Sequence, residues 1–133
     1  MKNHLQFIGI VHSPLMKLED CPLQENEESP VATIEVFDDF IEGTSDIQPG
    51  LELILFSWLH RANRSVLKTH PRNNRQAALT GVFSTRSPDR PNPIGIHFVK
   101  VLTVLSKNEF QVSALELLDQ TPIIDIKPNI AKR

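Results

Sequence analysis

The sequence predicts an all-β protein, a small β-barrel with at most one or two short helices. Short β-branched and apolar runs recur along the chain, punctuated by Gly, Pro, Asn and Asp. No segment sustains a helical period for more than about three turns, and the connections between most runs are brief. At 133 residues the chain is long enough to bury a core without metal or disulfide, so a single domain over residues 1–133 is expected.

Leu5 to Val11 is the first strand expected, stopped by His12-Ser13-Pro14. An acidic stretch with Pro22 and Pro30 reads as a loop, after which Ala32 to Val36 alternates apolar and polar residues as a half-buried strand does. Residues Asp38 to Gln48 fit one short helix, with Asp38 or Asp39 as N-cap and Gly43 near its end. Leu51 to Trp58 is apolar on both faces, which predicts a central strand. Arg64 to Gln76 reads as a basic loop. Ala78 to Ser84, Ile94 to Leu105, Phe110 to Leu118 and Ile123 to Ile126 complete the strands, with Ser106 to Asn108 and Glu109 as a hairpin loop.

One stretch stands apart. Gly81 to His97 holds three of the ten prolines and two of the five glycines, together with Arg86 and Arg90, between two apolar runs. Each proline fixes its own φ and disfavours helix at the residue before it, so the segment is stiff. It is either a rigid turn between strands or a preorganised loop that aims its arginines at a ligand. His60-Arg61-Ala62-Asn63-Arg64, directly after the strand ending at Trp58, has the same two readings: the place where a strand reaches solvent, or part of a site held by a stiff scaffold.

Charge is segregated. Between Glu19 and Glu52 there are eleven carboxylates and no Lys or Arg; from Arg61 to Lys100 there are eight basic residues against one acid, Asp89. Such asymmetry favours a polyanionic partner such as nucleic acid, or an anionic cofactor. The single cysteine, Cys21, excludes an internal disulfide and fits a reducing cytoplasm. No apolar run approaches the about 18 residues of a membrane span, and no signal peptide is legible.

Standard catalytic patterns are missing. No Gly-x-Gly-x-x-Gly follows a strand, and the five histidines lack metal-ligand spacing, so no metal site is expected. Asp119 with Thr121 before Pro122 reads as an ordinary turn. Asp125, flanked by Ile124 and Ile126, needs a partner if buried, for which Lys127 or an arginine is available.

Four blocks, in order, resemble one known family. These are Ile8-Gly9-Ile10-Val11-His12-Ser13-Pro14, Phe56-Ser57-Trp58-Leu59-His60-Arg61, the long Gly81 to Gly95 block, and Asp119-Gln120-Thr121-Pro122 with Asp125-Ile126-Lys127-Pro128. The chain is similar over essentially its whole length to the TsaA-like, or TrmO-type, proteins. That resemblance implies an S-adenosyl-L-methionine-dependent tRNA methyltransferase with a β-barrel in place of the usual methyltransferase fold. It implies a homodimer with the cofactor near the subunit interface, and methylation of the N6 of N6-threonylcarbamoyladenosine beside the anticodon.

By position, the family's cofactor contacts would fall at Gln24, His60, Arg61, Arg86, Ile96, Leu115, Glu116, Leu117, Leu118 and Asp119. The chain differs from the family at Leu23, where an arginine is usual, at Gln120, where glycine is usual, and at Asn129 in place of tyrosine. By the same resemblance, residue 133 falls where longer bacterial members are expected to continue into a C-terminal domain.

Methyl transfer from sulfonium to nitrogen is an in-line displacement, in which positioning matters more than a dedicated nucleophile. Glu116 or Asp119 suits the cofactor's cation, and Ile96, Leu115 and Leu117 suit its adenine. Asp119 or Asp125 is the candidate base for the N6 proton. Arg64, Arg72, Arg75, Arg90 and Lys127 are candidates for holding phosphates or the threonyl carboxylate. Two alternatives remain open: a methyltransferase for another RNA or a small molecule, and a cofactor-sensing or RNA-binding barrel without catalysis.

Overall fold

Alternation of apolar and polar residues gives each strand one face that must leave water, and a closed barrel satisfies all such faces at once without leaving an edge. The computed structural model of the chain describes residues 3–15, 31–71, 74–113 and 115–130. Its strands are β1 (Gly9–His12), β2 (Ala32–Val36), β3 (Glu52–Trp58), β4 (Lys68–Thr69), β5 (Thr80–Gly81), β6 (Ile94–Val104), β7 (Glu109–Val112) and β8 (Pro122–Pro128). Six of them close an antiparallel barrel in the order β1-β2-β7-β6-β3-β8, and β4 with β5 forms a separate two-stranded ribbon. The all-β barrel expected from the sequence is the observed fold.

The barrel interior is filled from the inward positions. Leu53 and Leu55 of β3, Val99 and Val101 of β6, Ile34 of β2, Phe110 and Val112 of β7 and Ile123 of β8 form one buried cluster. Central β3 is flanked by β6 and β8, as its two apolar faces predict. Its outward residues Ile54, Phe56 and Trp58 are only half-buried. Inside, Ser57 and His97 are both buried, and their Oγ and Nε2 atoms lie 2.8 Å apart.

Several element bounds differ from those expected. The first strand begins at Gly9, because Leu5 and Phe7 stay on the surface. Asp38 to Thr44 is a 3-10 helix whose N-cap is Phe37; Asp38 and Asp39 occupy its first turn instead, without a capping side-chain bond. The basic segment after Arg64 includes β4. The Ala78 to Ser84 run supplies only the two residues of β5 and then a 3-10 turn, Val82–Ser84, because only Lys68 and Thr69 are there to pair with it.

At the other end, β7 stops at Val112, and Leu115, Leu117 and Leu118 are buried outside any strand. Strand β8 is longer than expected and runs from one proline to another, with a register shift opposite Phe56 and Ser57.

Candidate functional site

Antiparallel pairing decides which loops meet. Ile123 of β8 pairs with Gly9 of β1 on one side and with Ser57 of β3 on the other, while Trp58 of β3 pairs with Ile94 of β6. The C-terminal ends of β1 and β3 and the N-terminal ends of β8 and β6 therefore share one mouth of the barrel. Two loop systems stand there, one after β1 and before β8, the other after β3 and before β6.

The first system is built around Asp119. Its Oδ1 accepts the Ser13 N–H at 2.9 Å, and its own N–H donates to the Leu15 carbonyl at 2.7 Å. Gln120 follows with φ of 70°, the left-handed region, and donates its N–H to Val11 O at 2.7 Å. The buried Thr121 closes the turn through an Oγ1–H to Leu118 O bond of 2.7 Å. The turn read from Asp119-Gln120-Thr121-Pro122 thus exists, and among the described residues it leaves Asp119 Oδ2 with a 3.3 Å contact to the Gln120 amide alone.

Leu115 and Leu117 point their side chains into the barrel core, so they offer a ligand main-chain groups rather than an apolar slot. Neither makes a main-chain hydrogen bond to another described residue.

The second system joins the β3 exit to the proline-rich loop. Leu59 N–H donates to Pro93 O at 2.8 Å, and Ala62 N–H to Leu59 O at 3.0 Å, which puts His60 and Arg61 at the crest of a tight turn. Both are exposed. Partial desolvation of the imidazole first, and the Arg61 charge second, push the His60 pKa down from its ordinary value even though the residue as a whole is exposed.

Asn63 N–H donates to Asp89 Oδ1 at 2.8 Å, and Arg64 donates to Pro91 O at 2.7 Å and Asn92 Oδ1 at 3.2 Å. The Arg64 guanidinium also lies 5.0 Å from the centroid of the Trp58 ring. Arg90 turns back into its own loop, donating to Ser87 O at 2.8 Å, Val82 O at 2.6 Å and Thr85 O at 2.5 Å.

The arginines singled out from sequence therefore divide. Arg64 and Arg90 spend their donors on the loops themselves. Arg61, Arg75 and Arg86 are exposed, and no hydrogen bond or ion pair holds them among the described residues. Ile96 is half-buried on the outer face of β6, in register with Phe56.

Asp125 does not join Asp119. It pairs in register with Phe56, its Oδ2 is 3.1 Å from Lys127 Nζ, and both residues line a cavity of about 880 Å³ toward the other mouth, beneath the 3-10 helix Asp38–Thr44. Gln24 and Arg72 lie outside the described residues. The internal roles of Arg64 and Arg90 were not legible in sequence, although a loop with three prolines and few strand partners leaves carbonyls for which a nearby guanidinium is a natural donor.

Among the described residues no three His, Cys, Asp or Glu side chains are grouped to hold a metal ion, and no helix is long and apolar enough to cross a membrane.

Residues 10–133 match the family model described as the tRNA-methyltransferase O N-terminal domain. The chain belongs to that family.

Relatives include a probable S-adenosyl-L-methionine-binding protein of Pyrococcus abyssi, 40% identical over 124 residues that cover 92% of this chain and 66% of the relative. An S-adenosyl-L-methionine-binding protein of Archaeoglobus fulgidus is 38% identical, with 92% of this chain and 86% of that protein covered. A crystal structure of TrmO superposes with a TM-score of 0.77 at 28% identity, covering 98% of this chain and 58% of that one. TrmO from Pseudomonas aeruginosa gives 0.74 at 27% identity, covering 98% and 57%. The chain thus spans a little over half the length of these TrmO chains and about two thirds of the Pyrococcus relative.

Proposed function

We propose that the protein, as one domain over residues 1–133, is an S-adenosyl-L-methionine-dependent methyltransferase. Its acceptor is tRNA, at the N6 of N6-threonylcarbamoyladenosine beside the anticodon. The observation that carries this reading is that the loop bearing Asp119, the turn bearing His60 and Arg61, and the proline-rich loop bearing Arg86 all join their strands at one mouth of the barrel. Family membership and relatives named for binding S-adenosyl-L-methionine support it.

The residues present fit the cofactor. The guanidinium groups of Arg61 and Arg86, exposed and without partners among the described residues, suit its carboxylate. The main-chain groups of Leu115 and Leu117 suit the adenine edge, with Ile96, Glu116, Leu118 and Gln24 as further contacts. The cofactor supplies a methyl group activated by a sulfonium charge.

The chain's own work is to position and to handle one proton. The Ser13 N–H holds Oδ1 of Asp119, which leaves Oδ2 to take the N6 proton. Asp125, held by Lys127 away from this mouth, is the less suitable base. Arg75, with Arg72, holds phosphates or the threonyl carboxylate, whereas Arg64 and Arg90 keep the loops in place. Neutral His60 at the crest avoids adding a charge beside the sulfonium.

Self-association is part of the reading. Ile94, Phe98 and Leu102 on the outer face of β6 are large, apolar and 44%, 50% and 43% exposed, a face suited to a second copy. A cytoplasmic location follows from the substrate.

Incubation of protein and cofactor with tRNA carrying threonylcarbamoyladenosine, followed by nucleoside mass spectrometry, tests the reading. A methyl mass gain on that nucleoside is expected; no gain, with cofactor heat still present in calorimetry, would favour a second reading. That reading is a barrel that binds the cofactor without transfer, and it is favoured by relatives whose names state binding alone.

A further inference from the structure

The β4–β5 ribbon carries an unusual surface. Val82, just after β5, turns inward and is buried, and its N–H is fixed to Leu67 O at 2.9 Å. The next residue, Phe83, turns outward and is 80% exposed, the most exposed of the large hydrophobic side chains on the described surface. Leu67 and Leu79, from the two arms of the same excursion, are also exposed. Three large apolar side chains exposed on one excursion, Leu67, Leu79 and Phe83, make a surface suited to a partner.

The turn is rigid for a stated reason. Arg90 binds the carbonyls of Val82 and Thr85, the residues on either side of Phe83 and Ser84, and Thr85 Oγ1–H also donates to Val82 O at 2.9 Å. The ring is presented from a fixed base.

The surroundings say what kind of partner. From Arg61 to Lys100 the sole carboxylate is Asp89, which accepts the Asn63 N–H. Arg61, Arg75 and Arg86 are exposed without partners among the described residues. An exposed aromatic ring in a segment whose cations outnumber its carboxylates eight to one suits a planar base joined to phosphates, the combination that single-stranded RNA offers. A second copy docking through the same patch would bring like charges together. The outer face of β6, with Lys100 as its one exposed charge, is the better place for self-association.

We propose that Phe83 is a stacking platform for an unpaired nucleobase of the RNA substrate, with Arg75 of the same basic excursion as a phosphate-holding residue. This rests on the tRNA reading above and adds to it the place where the loop of the RNA is gripped.

The test uses the full chain and an anticodon stem-loop RNA with the fluorescent base 2-aminopurine in its loop, at low and raised salt. Wild-type protein should bind with an affinity that falls with salt and should quench the fluorescence by stacking. Phe83→Ala should remove the quench and weaken binding by roughly five- to a hundredfold, while Phe83→Trp should retain both. Calorimetric binding of S-adenosyl-L-methionine should be the same in all three proteins.

If wild type binds and Phe83→Ala binds and quenches equally well, the platform is wrong and the tRNA reading stands. If wild type binds no RNA, the tRNA reading fails and the platform with it. If Phe83→Ala instead converts a dimer to a monomer in sedimentation, the ring belongs to a contact between copies and the proposal is overturned.

Discussion

Arg90 donates a 2.6 Å hydrogen bond to the carbonyl of Val82, eight residues earlier, and so closes the loop that carries Arg86. The bond makes Arg90 a positioning residue. Arg90→Lys keeps the charge but has one head group for four acceptor contacts. We expect a loss of about 1.5–3 kcal/mol of local stability, read as faster amide exchange over residues 82–90, and a lower methyl-transfer rate. A lysine variant with wild-type exchange would refute the clamp.

Gln120 is the one non-glycine residue at positive φ among those described. A left-handed conformation costs an ordinary L-residue about 1–2 kcal/mol, whereas glycine adopts it freely at an entropic cost of roughly 0.5–1 kcal/mol. Gln120→Gly should therefore stabilise the protein by up to about 1 kcal/mol, visible as a higher urea midpoint. A lower midpoint would mean that the Gln120 to Asp119 contact matters more than the backbone.

Gly95 faces the buried Ser57–His97 pair. A Cβ there would stand 2.5 Å from Ser57 Oγ and 2.6 Å from His97 Nε2. Gly95→Ala should cost about 1–3 kcal/mol by overpacking, and Ser57→Ala in the same chain should recover only part of it, since His97 remains. Urea unfolding of the single and double variants checks this; strict additivity would show that the two positions do not compete for space.

His60 titrates below its ordinary value because burial, then Arg61, disfavours its charged form. The unfolded chain then binds more protons than the folded one over a window just below about pH 6.5. The His60 contribution to stability is full above that pH and is lost as pH falls through the folded value. Arg61→Gln should raise the His60 pKa without fully restoring it, because burial is the larger cause. An NMR titration of the imidazole protons measures both, and a His60 pKa unmoved by the substitution would argue against the charge effect.

Much of this molecule was readable before its fold. Strand period and turn residues located the barrel strands; Ala32–Val36 came out as expected, β3 differed at its start and β6 at its end by one residue each. Where the reading missed, a partner was the deciding factor. The apolar run through Leu118 leaves the sheet after Val112, opposite the first residue of β2, Ala32, and Leu115 and Leu117 turn into the barrel core instead. The same holds for Arg64 and Arg90, whose sequence signature is that of phosphate-binding arginines and whose hydrogen bonds are to their own loops.

What the sequence by itself determined was the class of structure, the stiffness of Gly81 to His97 and the family. These depend on local φ preferences, side-chain period and motif order, all carried by neighbours in the chain. Tertiary structure alone decided that the loop bearing Asp119 opens at the same barrel mouth as the loops bearing His60, Arg61 and Arg86, while Asp125 lies within β8 beside Lys127. Strand order and register set those meetings, and they arise from closing the barrel around residues more than a hundred positions apart, as Ser13 and Asp119 are.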